Sequence, residues 1–325
     1  MGRGLFTREP NLGRGLALLL PYPVLSAVVD VYTGHTEQSR DPAVVAAVAF
    51  TLTVAIFAVP RASKTPPGKT PPSGSHLRDL AALSLTTALT WITLLYALKF
   101  LEPAVVNAVS LAVGPAITVI AGPLLRRGSS VLTAEAGAAI AVLAVIAVLC
   151  WGSADGLTSI GHIGLGRGLT GFGLTFVSGL GSAGTFIYAK RLSEAGVRPT
   201  AVLSSRFWLT AAASWVLAVA SHLPRLAQSL LPGLVVAVIG VAAPACLLHL
   251  GVRYTEPITV SLLDNLAPML TYLLQLLDGR LRPSAFSLSG ILAIACLIAG
   301  GVVARARHDA RPAVPGDTVG ASSRG

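Results

Sequence analysis

The sequence predicts an all-α polytopic membrane protein, with ten transmembrane helices arranged as two inverted five-helix repeats. Three observations predict it. The 325 residues are 53% hydrophobic and only 12% charged, with a mean hydropathy of +0.73. Soluble domains carry about 25% charged residues, so this chain lacks the polar surface to cover a soluble globule of its size. Ten apolar stretches of about 20 residues follow one another, and little chain remains between them. Short spellings of the first half recur, in order, in the second.

The elements follow from the N-terminus. Residues 1–14 form a cytoplasmic segment carrying Arg3, Arg8 and Arg14. The predicted spans are 15–31, 42–60, 80–97, 103–125, 132–151, 169–189, 201–221, 230–250, 257–277 and 285–303. Span one follows positive charge as a signal peptide would. No small-residue cleavage site follows it, so it reads as a retained signal-anchor helix. Residues 61–79 are a Pro/Gly/Lys cytoplasmic loop that cannot bury a core. The first repeat covers 15–151 and the second 165–303. Residues 304–325 are polar and read as a disordered cytoplasmic tail.

Lys and Arg in short loops set the orientation. With the N-terminus inside, 17 of them fall on the cytoplasmic side and 6 outside, and Arg206 lies within a span. An even number of spans keeps both termini inside. The formal net charge of +10 is therefore a record of topology, and nucleic acid is not expected as a partner. The Ala, Gly, Arg and Pro bias resembles that of a high-GC bacterium, which places the chain in the cell inner membrane.

The halves repeat. LGRGL at 12–16 returns at 165–169, and Glu102-Pro103 returns as Glu256-Pro257. Pro115 matches Pro268, Thr118 matches Thr271, and Gly137 matches Gly290. Five spans per half is an odd number, so the second half enters the bilayer from the opposite side. Related halves of opposite orientation are the architecture of many secondary transporters.

Several stretches carry a family resemblance. From Tyr96 the chain reads YALKFLEPAVVNAVSLAVGPAITVIAGPLLRRG, a short aromatic-Ala-Leu run, a turn and a helix with a central Pro. From Gly251 it reads GVRYTEPITVSLLDNLAPMLTYLLQLLDGRL, the matching pattern. GILAIACLIAGGV from Gly290 is a glycine-spaced closing helix, and Arg206-Phe207 is an Arg-Phe pair early in span seven. In these features the chain resembles the drug/metabolite transporter superfamily, of the ten-helix EamA-like kind. It departs from that pattern at Val48-Ala49, where the first half lacks the Arg-Phe pair. It departs again at Arg126-Arg127-Gly128 and Asp278-Gly279-Arg280, which replace a Gly-Glu pair. The resemblance implies a transporter.

Candidate site residues come from what is rare within spans. Gly114-Pro115 and Pro268 lie at corresponding midplane positions, where a proline frees a carbonyl that a cavity can satisfy. Intramembrane charges default to function. Asp264 and Arg206 lie at similar depth and neutralise each other if they meet; a lone Asp264 could instead take up a proton. Asn107, Ser110 and Thr118 on span four, and Asn265, Thr271, Tyr272 and Gln275 on span nine, are softer candidates, since such groups also bond their own or neighbouring helices. Trp91 and Tyr188 are candidates to line a cavity, and Tyr188 reads equally as an interfacial anchor beside Lys190-Arg191. Asp30 reads as water-facing at the outer end of span one, and Glu135 as a helix N-terminal carboxylate.

The expected function is a secondary active transporter of small metabolites or drugs, working by alternating access about a midplane site. Export of an amino-acid-like or cationic drug-like solute is the favoured form, with protons as the candidate coupling ion and the lipid bilayer as surroundings. A sugar-phosphate or nucleotide-sugar exchanger ranks lower, because Arg206 is the one intramembrane cation for an anionic substrate. A membrane-embedded enzyme ranks lower still: no DxxxD, HExxH or GxGD spelling occurs, nor a P-loop. Cys150, Cys246 and Cys296 lie in apolar runs, so no metal or cofactor is expected.

Overall fold

A segment that crosses lipid must satisfy its backbone internally, and runs of Ala, Leu, Val and Ile do so as helices. A computed structural model describes residues 12–38, 40–62, 74–125, 133–197, 199–222, 226–251, 254 and 263–309. Among the described residues the regular elements are helices, and no strand occurs. Span one is α1 (Leu12–Leu19) followed by α2 (Pro21–Glu37). Spans two to six are α3 (Pro42–Ala62), α4 (Gly74–Ala97), α5 (Pro103–Leu125), α6 (Thr133–Asp155) and α7 (Leu165–Glu194). Span seven comprises α8 (Pro199–Arg206) and α9 (Trp208–Ala220). Span eight is α10 (Leu226–Val235), a π-helical turn (Val236–Ala242) and α11 (Ala243–Gly251). The outer part of span nine is α12 (Ala267–Gln275), and span ten is α13 (Ala285–Asp309).

Seven of the described helical stretches are long and apolar enough to cross a membrane, and Pro42–Ala58 and Pro103–Ile117 are shorter apolar helices. The chain is an all-α polytopic membrane protein. The N-terminus, most of the 61–79 loop, the start of span nine and the tail beyond residue 309 lie outside the described residues.

Four expected spans have a different internal form. Span one does not end near Val31 but continues to Glu37. Its last turns are polar and so end the hydropathy signal. Thr33, Gly34, Thr36 and Glu37 are nevertheless buried, because that face meets protein rather than lipid. Span seven is interrupted at Phe207, immediately after Arg206. Span eight widens into the π-helical turn, where the Ala243 N–H donates to the Val238 carbonyl. Pro244 supplies a reason, since its ring crowds the carbonyl four residues earlier and a wider turn relieves the clash. Span nine turns at Asn265-Leu266, and Pro268 sits in the first turn of α12, where a missing N–H costs nothing.

Packing pairs the spans across the two halves. α4 lies along α7, α3 against α9 and α10, α5 against α7, α12 against α2, and α6 against α13. Close approach needs glycine on α7. A Cβ at Gly179 would meet Val113 Cβ at 2.6 Å and the Ser110 carbonyl at 2.7 Å, and one at Gly181 would meet the Thr90 backbone nitrogen at 2.8 Å. Small residues let helix backbones approach in this way where lipid supplies no drive to associate. One apolar cluster centres on α5 and includes Val105, Val109, Val113, Leu149 and Ile291. A second joins Val29, Phe50, Leu95, Phe207 and Val236.

Candidate functional site

Helix α2 carries polar side chains in steps of three and four residues: Tyr22, Ser26, Asp30, Thr33 and Glu37. That spacing puts them on one helix face. Two of them meet partners from spans four and nine. Asp30 accepts a hydrogen bond from the Asn107 amide of α5. The same amide nitrogen lies 3.5 Å from Thr271 Oγ1 on α12, and that hydroxyl donates to the Ala267 carbonyl at 2.8 Å. One turn and more toward the other end, the Tyr22 hydroxyl donates to Asp264 Oδ1 at 3.0 Å and lies in the field of Asp30 as well. Two carboxylates thus flank one tyrosine where spans one, four and nine converge. Neither has a Lys, Arg or His partner within ion-pair distance among the described residues.

Two expectations are corrected here. Asp30 is not a water-facing group at the end of a span; it lies inside span one, because that span is longer than its hydropathy indicates. Arg206 and Asp264 do not pair. Asp264 is taken by Tyr22, whereas Arg206 stacks on Phe207, its guanidinium carbon 4.7 Å from the ring centroid. The Arg206 Nε is buried without an acceptor.

The other candidates separate into groups. Ser110 lies 3.3 Å from Ser178, whose hydroxyl donates to the Thr90 carbonyl at 3.0 Å; this ties spans three, four and six. Gly114 faces Ala183 of α7, and Pro115 is exposed on a helix that runs through it without a break. The Thr118 side chain lies outside the described residues. Trp91 meets Phe50 edge-on, 5.5 Å between centroids. Tyr188 is covered by Arg191 at 5.4 Å near the end of α7, the geometry of an anchor rather than of a cavity wall. Glu135 faces Arg305 of α13 at 3.4 Å.

Tyr272 and Gln275 close the far end of α12. The Tyr272 hydroxyl donates to the Ser284 carbonyl at 2.8 Å and accepts from the Ser284 N–H at 3.1 Å. Gln275 donates to Glu102 at 3.2 Å and accepts from the Ala104 N–H at 3.2 Å. The Ser159 N–H reaches the same Glu102 oxygen at 3.2 Å. Burial pushes the Glu102 carboxyl up, against these donors. Beyond them, Arg280 bonds both oxygens of Asp278, the shorter bond being 2.6 Å, and also the His35 carbonyl and the Gln38 side chain at 3.1 and 3.0 Å. The Arg280 side chain holds the Asp278 carboxyl well below the usual carboxylate range. These contacts latch the end of span one to the loop after span nine.

Asn265 is placed differently. It sits at the turn that opens α12, buried, with its amide nitrogen unpartnered. It lines a groove of about 430 Å³ between spans nine and ten, together with Leu263, Leu266, Met269, Ala295, Cys296 and Ala299. Sequence reasoning missed Tyr22 and misplaced Asp30. The available signal was the polar stripe itself, unusual on a span otherwise apolar.

Residues 169–302 match the family model for EamA-like transporters. The chain is a multi-pass membrane protein. A solved crystal structure shares the fold, with a TM-score of 0.55 and 19% identity over 92% of this chain and 97% of the other. No curated protein matches the sequence.

Proposed function

We propose that the protein is a secondary active exporter of small solutes bearing an ammonium group, and not an enzyme. The single observation that carries this reading is the pair of carboxylates, Asp30 and Asp264, around Tyr22 without a cationic partner. A buried carboxylate needs a positive partner or a proton. A substrate ammonium supplies one, and a proton replaces it when the site is empty, which is how export becomes coupled to protons. Asn107 and Thr271 hold Asp30 toward the site, while Tyr22 holds Asp264.

Alternating access fits the way the spans pair. α5 on α7 and α12 on α2 exchange under the sequence repeat, whereas α3 on α9 and α6 on α13 join repeat counterparts. This pairing supports two inverted halves, 15–151 and 165–303, that rock about the shared site. The latch of Arg280, Asp278 and His35 would close one end; the Lys and Arg distribution puts that end outside, with both termini in the cytoplasm of an inner membrane. An exchanger of sugar phosphates fits less well, because two carboxylates would repel the substrate.

Counterflow in proteoliposomes tests the reading, with hexylamine as probe, with and without a proton gradient. Asp30→Asn and Asp264→Asn should each lower flux by about tenfold or more, as expected for truncating a buried charge. Flux at the wild-type rate in both variants would sink it.

A further inference from the structure

Arg206 closes α8, seven residues after Pro199, which places it about 10 Å along span seven. A guanidinium has five N–H donors and keeps its charge. Here none of the five is used: among the described residues Arg206 has neither a hydrogen bond nor an ion pair, and its contact is the face of Phe207. Nε is sealed away from any acceptor. Asp264 is committed to Tyr22 and Asp30 to Asn107. A charge left so in a helix bundle is costly unless an anion completes it.

The surroundings say what kind of anion. Phe207 stacks on Phe57 at 6.0 Å and on Phe50 at 5.9 Å, and Phe50 meets Trp91. These rings pack against one another, with Phe50 and Phe207 buried and Phe57 and Trp91 half-buried. The apolar cluster that includes Phe50 and Phe207 extends to Val29, the neighbour of Asp30. One apolar and aromatic cluster therefore includes both the ring against the unpaired cation and the sequence neighbour of Asp30. The chain also stops being helical at Phe207, directly after Arg206, so the guanidinium sits at a break in its span.

We propose that Arg206 holds the carboxylate of the transported solute, which is a zwitterion with its charged ends separated by an apolar segment. The ammonium end lies at Asp30 and Asp264, so this inference rests on the ammonium reading above. The apolar segment lies along the half-buried rings of Phe57 and Trp91. Arg206 then sets specificity for the acid end, and the carboxylates set it for the amine.

The test is counterflow in proteoliposomes with 6-aminohexanoate, hexylamine and leucine. Wild-type protein should carry 6-aminohexanoate better than hexylamine, and better than leucine, whose charges share one carbon. Arg206→Gln should lower 6-aminohexanoate flux by about tenfold or more while leaving hexylamine within about twofold, since a site built for a charged group discriminates strongly on that group. Hexylamine flux in the variant also reports that it is folded. Arg206→Lys keeps the charge and should recover part of the loss; it serves as the test variant if the Gln form does not fold. Equal loss of both substrates would make Arg206 a structural residue and overturn the proposal. So would wild-type transport of hexylamine but not of 6-aminohexanoate, or leucine carried as well as 6-aminohexanoate. Absence of hexylamine flux in folded wild-type protein would instead overturn the ammonium reading itself.

Discussion

Spans four and nine match each other in sequence, yet the molecule uses them differently. α5 runs from Pro103 to Leu125 without interruption, and its Pro115 is exposed. Span nine turns at Asn265-Leu266 and restarts as α12 with Pro268 buried in its first turn. Ser110 and Asp264 occupy corresponding places by sequence offset. Ser110 lies beside Ser178 and ties helices together, whereas Asp264 carries an interior charge held by a tyrosine. A proline costs little where its missing N–H opens a helix, and more where it sits inside one. The same residue type thus sits within one unbroken span and restarts the other. The interior carboxyl lies on the restarted one, just before the turn at Asn265-Leu266.

The largest expected effect tests that asymmetry directly. Asp264→Ser should lower hexylamine counterflow by about tenfold or more, while Ser110→Ala should change it by less than about twofold. Equal losses would erase the difference between the spans and point to a symmetric site.

Gln275→Ala should come next. Its amide bridges Glu102 and the Ala104 N–H, both buried, so its removal orphans the Ala104 N–H, while Glu102 keeps the Ser159 N–H, at the end where spans four and nine meet. Such an orphaned group costs about 1–3 kcal/mol, and the variant should melt well below wild type in a thermal-unfolding assay in detergent. An unchanged midpoint would show that water replaces the amide there.

The two prolines give a smaller and sharper contrast. Pro268→Ala should alter stability by less than about 1 kcal/mol, because the first turn of a helix has no N–H bond to regain. Pro115→Ala should stabilise α5 by about 1 kcal/mol or more, because a mid-helix bond is restored. Comparing the two melting temperatures checks it, and a reversed order would mean that the break in span nine depends on its proline.

These contrasts also show where sequence reading stops. Lipid allows few solutions, so apolar runs such as 132–151 and 285–303 announced α6 and α13 directly. The family match in 169–302 agrees with the resemblance seen from Gly251 onward. Hydropathy, however, measures preference for lipid, and the site is where helices turn away from lipid. Span one was cut short at Val31 because Thr33, Thr36 and Glu37 face protein, and that hid Asp30 within the bundle. Similar depth in the membrane suggested that Arg206 and Asp264 could meet. Depth carries no information on direction around the helix axis, and the two side chains have different neighbours. The π-helical turn of span eight has a cause in Pro244, but a proline alone does not distinguish a kink from a wider turn.

The smallest effect concerns the latch that joins span one to the end of span nine. Arg280 bonds Asp278 and lowers its affinity for protons relative to the unfolded chain, whose carboxyls titrate near 3.9. A group depressed in the folded state contributes stability that is fully present above its unfolded value and is lost as pH falls through the folded one. Asp278 therefore does not titrate at neutral or mildly acidic pH. In a His35→Gln background, wild-type Asp278 and Asp278→Asn should differ by a constant amount, about 0.2–1 kcal/mol for a partly exposed pair, down to about pH 5. Below that the difference should shrink. A difference that changes around neutral pH would mean that the latch itself senses protons. A pH dependence of transport in that range that Asp30→Asn and Asp264→Asn both remove would then belong to the interior carboxylates of spans one and nine, and one that survives both would not.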